Sequence, residues 1–130
     1  MLVCSHFKAT SVVVEEAGEI VGMVSGYLDP EHADTLFVWQ VAVDASVRGQ
    51  GVALRMLERL LERKRLEGIR YIETTISPSN AASQSLFKRL AANLGAKITE
   101  APCFERELFG GEAHEDEHLF RIGPFGNFHH

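Results

Sequence analysis

Residues 39–61 read WQVAVDASVRGQGVALRMLERLL. A β-branched apolar run ends at Asp44, a short basic turn carries Gly49 and Gly51, and a helical pattern starts at Gly51 and runs to about Glu67. In that helix Leu54, Met56, Leu57, Leu60 and Leu61 form an apolar stripe, while Arg55, Glu58, Arg59, Glu62, Arg63 and Arg65 stay solvated. A turn that only reverses the chain needs neither an arginine nor two glycines at a helix start. The first amides of a helix lack internal partners and carry roughly half a positive charge. Gly49 and Gly51 let backbone approach a ligand, and Arg48 adds a full charge, so phosphate or pyrophosphate is the guest the turn suits. A plain strand–helix loop with a surface arginine remains the competing reading of the same residues.

The flanks extend this unit. Thr35 to Asp44 reads as a strand with Phe37, Trp39, Val41 and Val43 on one face and Leu36, Val38 and Ala42 on the other, both sides covered. Upstream, residues 11–28 read as a β-hairpin around Glu16-Ala17-Gly18-Glu19, closed by Asp29-Pro30. Downstream, Gly68 is placed to cap the first helix, and Ile69 to Ile76 is a further strand with Pro78 at its exit. Ser79 or Asn80 caps a second helix whose inner face is Leu86, Phe87, Leu90 and Leu94, with Gly95 at its end. Short strands follow around 96–98 and 117–122. The order β-β-β-α-β-α-β, antiparallel first and parallel in the middle, gives an α/β fold (an α+β mixed sheet) with helices on both faces.

Composition sets outer bounds. The chain has 130 residues, 45% hydrophobic and 24% charged, which suits one soluble domain over 1–130. No apolar run approaches the ~20 residues of a membrane span, and MLVCSHFKAT lacks the features of a secretory signal. Cys4 and Cys103 form no metal-like pair and read as reduced thiols of a cytoplasmic protein. A net charge of −5 argues against nucleic acid and suits a cationic substrate. The terminal His129-His130 reads as a tag remnant and carries no functional weight.

The phosphate ligand can be narrowed. Gly49-Gln50-Gly51-Val52-Ala53-Leu54 has leucine where the dinucleotide fingerprint wants glycine or alanine, and no Lys-Ser/Thr follows as in a P-loop. Arg48-x-x-Gly51-x-Ala53 after Val41-Ala42-Val43-Asp44 resembles the acetyl-CoA turn of the GCN5-related N-acetyltransferases, whose fold has the same β-β-β-α-β-α order. The resemblance implies acetyl-CoA as cosubstrate. It assigns Arg48, Gly49, Gln50, Gly51, Val52 and Ala53 to the pyrophosphate, Val41, Ala42 and Val43 to the pantetheine arm and thioester, and Asn80 and Phe87 to the second-helix flank of that arm. For Phe87, core packing competes with that role.

Within that superfamily the strings CSHFKATSVVVEE, VGMVSGYLDP, LFVWQVAVD, IETTISPSNAASQSLF and HEDEHLFRIGP resemble the L-2,4-diaminobutyrate acetyltransferases of ectoine synthesis. This implies a small diamino-acid acceptor, N4-acetylation and a homodimer, with neither nucleic acid nor membrane as partner. Members of the family begin with a further strand and helical segment ahead of the CSHF string. The resemblance therefore implies a chain short at its front, with the Ser11 strand as an unprotected edge.

Acetyl transfer needs a neutral amine held near the thioester carbonyl and donors facing the developing oxyanion. An alkylamine with a pKa near ~10.4 is mostly protonated at neutral pH, so a base is needed. His114-Glu115-Asp116-Glu117-His118 is the densest group of candidates, and like charges this close raise one another's pKa. Glu117 is the favoured base or ammonium anchor, Glu115 the second carboxylate and His114 a substrate contact, while a solvated acidic loop is the bland alternative. No metal-ligand spacing stands out. Trp39 and Gln40, and Glu73, Thr74 and Thr75 at the end of the fourth strand, are the remaining substrate candidates; an indole face attracts ammonium, although a lone strand Trp is more often core. The oxyanion donor is expected from the strand end near Val43. Where many relatives of this fold carry a tyrosine acid, Leu86-Phe87 offers none. Two further readings stay open: an acetyltransferase for another small amine, and an acyl-CoA-binding module without activity.

Overall fold

In the computed structural model, residues 2–8, 10–63, 66–102 and 117–126 are described. Their elements are β1 (Leu2–Lys8), β2 (Ser11–Glu16), β3 (Glu19–Asp29), β4 (His32–Val43), α1 (Val52–Leu61), β5 (Tyr71–Ile76), α2 (Ala81–Leu94), β6 (Ile98–Pro102) and β7 (His118–Ile122). They form a sheet ordered β1-β2-β3-β4-β5-β7-β6, antiparallel except where β4 lies parallel to β5. The hairpin is as expected: Ala17 and Gly18 both take positive φ, 53° and 84°, the geometry of a two-residue turn that follows the twist of its strands.

Strand β1 corrects one expectation. It pairs antiparallel with β2 from Leu2↔Glu16 to Lys8↔Ser11, so the Ser11 strand is not an edge. The Cys4–Lys8 string has no apolar alternation; its strand character comes from pairing with β2.

A second correction concerns β4. Gln40 pairs with Ser25 and Val38 with Gly26, which leaves Trp39 as the extra residue of a β-bulge. The inward positions therefore change parity at Trp39. Leu36 and Val38 are buried before it, and Val41 and Val43 pack against the core after it. Trp39 itself is 60% exposed and Ala42 is exposed, so residues 37, 39, 41 and 43 share no single covered face. Gly26 sits opposite, where a Cβ would lie 2.6 Å from the Phe37 carbonyl oxygen.

Helix α1 is shorter than its pattern suggested. It ends at Leu61, and Glu62, Arg63 and Leu66 donate to carbonyls three residues back, so Gly68 does not cap it. A helix continued to Glu67 would rotate Lys64 into the apolar stripe and Leu66 to the opposite side. Ending early lets Leu66 and Ile69 enter the core at 1% and 4% exposure. Helix α2 behaves as expected: the Asn80 side chain accepts from Ser83 N at 3.1 Å, and Gly95 closes it at φ 64°.

Both helices feed one core. Met56, Leu57 and Leu60 of α1 and Phe87 and Leu90 of α2 join Val24, Leu36, Val38, Ile72, Ile76, Phe120 and Ile122. The mixed α/β sheet stands, but among the described residues the helices lie on one face rather than both. The β4–α1–β5 and β5–α2–β6 crossovers step the same way across the sheet, and right-handed connections then deliver both helices to the same side. Leu60 is fully buried beneath α1, so Leu60→Ala is expected to cost roughly 2–5 kcal/mol. A urea titration would show a lower midpoint with an unchanged slope, and a midpoint equal to the parent's would contradict this account of the core.

Candidate active site

The site grows out of the parallel pair at the centre of the sheet. Strands β4 and β5 pair only at Thr35↔Tyr71, Leu36↔Ile72 and Phe37↔Glu73, and then diverge. The wedge between them is a cleft of about 170 Å³. The buried Thr74 hydroxyl donates to the Val38 carbonyl at 2.8 Å, satisfying an acceptor that the lost strand partner leaves behind. Thr74 thus lines the cleft with its proton already committed and only an oxygen lone pair to offer.

The bulge decides which backbone groups face the wedge. Asp44 N–H donates to Val21 on β3 at 2.7 Å. Strand alternation then turns the N–H and C=O of Val43 and Val41 toward the cleft side. In agreement, the Val43 carbonyl is met from that side by Arg48 Nε at 3.3 Å. Val41, and Val43 through its N–H, therefore turn strand groups toward the cleft where an extended ligand arm can pair, and an N–H where an oxyanion can form.

Beyond β4, Asp44 caps a 3-10 turn (Ala45–Val47) by accepting from Ser46 N at 2.9 Å. The Ser46 backbone N–H, then its hydroxyl, then the charge of Arg48 hold the Asp44 carboxyl below its ordinary value. It stays ionised at neutral pH and keeps the turn in shape. Gly49 and Gly51 take φ of 82° and 70°, and Gly51 is the N-cap of α1 with no side chain to occupy the first amides. A second cavity of about 320 Å³ lies over this turn. Val43, Arg48, Gly49, Gly51, Val52 and Ala53 line it, while Gln50 does not.

Of the other expected residues, Trp39, Gln40, Val41, Asn80, Phe87 and Glu117 meet in the cleft together with Thr74 and Thr75, while Glu73 does not line it. Ala42 lines neither cavity. Phe87 is 2% exposed, so it is core and cleft wall at once. The Asn80 side-chain oxygen caps α2, which leaves its NH₂ as the group it can present. His114, Glu115, Cys103 and His129-His130 lie outside the described residues. Among the described residues no three His, Cys, Asp or Glu side chains gather as a metal would need, and no helix is long and apolar enough to cross a membrane.

Two contributors escaped the sequence reading. Ser83 lines the cleft from the first turn of α2, and Arg89 lines the turn cavity together with Arg48. Ser85 and Arg89 stand four apart and both line that cavity, a spacing visible in the sequence, but nothing local says which neighbour that face meets.

Comparison with known proteins agrees with this geometry. Residues 4–92 match the family model described as acetyltransferase (GNAT) family. The L-2,4-diaminobutyric acid acetyltransferase of Marinococcus halophilus is 50% identical over 125 residues, 96% of this chain and 73% of that protein. The protein of the same name from Shouchella clausii is 42% identical over 95% of this chain and 70% of its own length. Among solved structures, the diaminobutyrate acetyltransferase EctA of Paenibacillus lautus, in complex with its substrate L-2,4-diaminobutyric acid and coenzyme A, superposes with a TM-score of 0.84 at 47% identity, covering 92% of this chain and 72% of that one. Relatives of this kind are alike along nearly the whole chain, and the chain belongs to the GNAT acetyltransferase family and, within it, to the L-2,4-diaminobutyric acid acetyltransferases.

Proposed function

We propose that this protein transfers the acetyl group of acetyl-CoA to the 4-amino group of L-2,4-diaminobutyrate, the acylation that the family resemblance connects to ectoine synthesis. The observation that carries the reading is the cleft itself. Its walls come from the helix side (Asn80, Phe87) and from the outer side (Trp39, Gln40), so two substrates can enter from opposite faces and meet within it.

In this reading the pyrophosphate sits on the amides that open α1, flanked by Arg48 and Arg89, and the pantetheine pairs with Val41 and Val43. The acceptor approaches past Trp39 and Gln40. Glu117 removes a proton from its ammonium, and the neutral amine attacks the thioester carbonyl. A C–N bond forms as the carbonyl oxygen becomes an oxyanion facing strand N–H groups; collapse breaks the C–S bond and releases CoA thiolate, which takes up the proton that the new amide nitrogen sheds. The attack is direct, so neither cysteine is needed. The enzyme is cytoplasmic and acts as a homodimer, as the resemblance implies.

The test is acetyl-CoA-dependent thiol release with 2,4-diaminobutyrate beside ornithine, lysine and spermidine. Release with diaminobutyrate well above the other three is expected. Preference for any other amine would keep the fold and overturn the substrate.

A further inference from the structure

The sheet face turned away from the helices carries a charged cluster that the transfer step leaves unused. Glu73 stands at the last parallel rung, opposite Phe37, where the strands begin to part. On its other side it pairs with Arg121 of β7, whose Nε lies 3.6 Å from the Glu73 carboxylate. The Arg121 guanidinium carbon lies 4.0 Å from the centre of the Tyr71 ring, so the group rests on an aromatic face. The Arg121 side chain is 44% exposed and that of Glu73 18%.

Stability does not account for this arrangement. A solvent-accessible pair at 3.6 Å is beyond good hydrogen-bond length and contributes little to folding. What it offers is a cation beside an anion, neither of which has a closer charged partner among the described residues. Among the described residues the terminal nitrogens of Arg121 remain as donors.

Its location matters more. Thr75 lines the cleft, and Glu73 is the next position down β5 on the same face, about 6.6 Å away. An extended four-carbon diamino acid spans roughly 5 Å from its terminal amine to its carboxylate carbon, at bond lengths near ~1.5 Å. With that amine in the cleft, the other end of the molecule reaches the level of Glu73 and Arg121.

We propose that Glu73 and Arg121 form the head-group subsite of the acceptor. Arg121 receives the α-carboxylate and Glu73 the α-ammonium, while Tyr71 keeps the guanidinium flat against the sheet. The cluster thereby selects a free amino acid over a simple diamine and presents the distal amine to the thioester. This inference rests on the acetyltransferase reading above and adds the residues that define the acceptor class.

The experiment is calorimetric binding to the CoA-loaded protein of three ligands: 2,4-diaminobutyrate, 1,3-diaminopropane, which lacks the carboxylate, and 4-aminobutyrate, which lacks the α-amine. The parent protein is expected to prefer diaminobutyrate to both. Arg121→Gln should reduce its preference over 1,3-diaminopropane by roughly 10-fold or more, as loss of a charge-assisted contact implies. Arg121→Lys should restore part of that preference. Glu73→Gln should reduce the preference over 4-aminobutyrate by a similar factor. Affinity for CoA and the melting temperature should hold in all three variants. Parent-like preferences in both Gln variants would overturn the subsite alone, as would an equal loss of affinity for CoA and every amine. Failure of the parent protein to bind any of the three ligands would overturn the acetyltransferase reading and the subsite with it.

Discussion

Glu117→Gln is expected to lower turnover with 2,4-diaminobutyrate by about 10²–10⁴-fold, the usual worth of a positioned general base. Glu117 is exposed, immediately precedes β7, and lines the cleft with Trp39, Gln40 and Asn80. Glutamine keeps the size and hydrogen-bonding capacity of the side chain but cannot accept the ammonium proton at neutral pH. The turn that holds pyrophosphate involves other residues, so affinity for acetyl-CoA should stay near the parent value. Steady-state kinetics separates the two roles assigned to this carboxylate. As base, its loss lowers kcat; as ammonium anchor, it raises KM while kcat holds. Turnover within a few-fold of the parent would remove Glu117 from the proton path.

How much of this was legible in the sequence depends on how local each feature is. The glycine turn was legible because its chemistry is contiguous: Arg48, Gly49 and Gly51 lie within four residues, and their backbone geometry needs no distant partner. The Asn80 cap and the Gly95 stop were legible for the same reason. The bulge at Trp39 was not, although it orients the site. It exists only in the register between β3 and β4, and its one local trace is Gly26 in a strand interior. Strand β1 was hidden because its residues alternate weakly and gain strand character from β2. The placement of both helices on one side follows from the strand order 4-5-7-6, in which β7 is inserted between β5 and β6. No window along the chain contains that information. The cluster at Glu73, Tyr71 and Arg121 joins β5 to a strand more than forty residues later, so Arg121 had no mark in the sequence beyond its charge.

Gly51→Val should weaken acetyl-CoA binding by roughly 10–100-fold, the equivalent of losing a charge-assisted hydrogen bond to the phosphates. Two effects contribute, and they can be separated. Gly51 has φ of 70°, a conformation that costs a β-branched residue on the order of 1–3 kcal/mol wherever it occurs. A valine there would also push a branched side chain toward the phosphates, because Gly51 lines the cavity over the turn and, among the described residues beyond its chain neighbours, nothing lies within 4 Å of its missing Cβ. Gly95 supplies the control. It has φ of 64°, its missing Cβ likewise meets nothing within 4 Å, and it sits at the far end of α2 from the turn. Gly95→Val should therefore lower the urea midpoint while leaving acetyl-CoA affinity intact. Gly51→Val should lower both. If the two variants lost stability equally and both kept parent-like affinity, the positive φ of Gly51 would be a requirement of the fold alone. The phosphates would then have to be held elsewhere than on the amides that open α1.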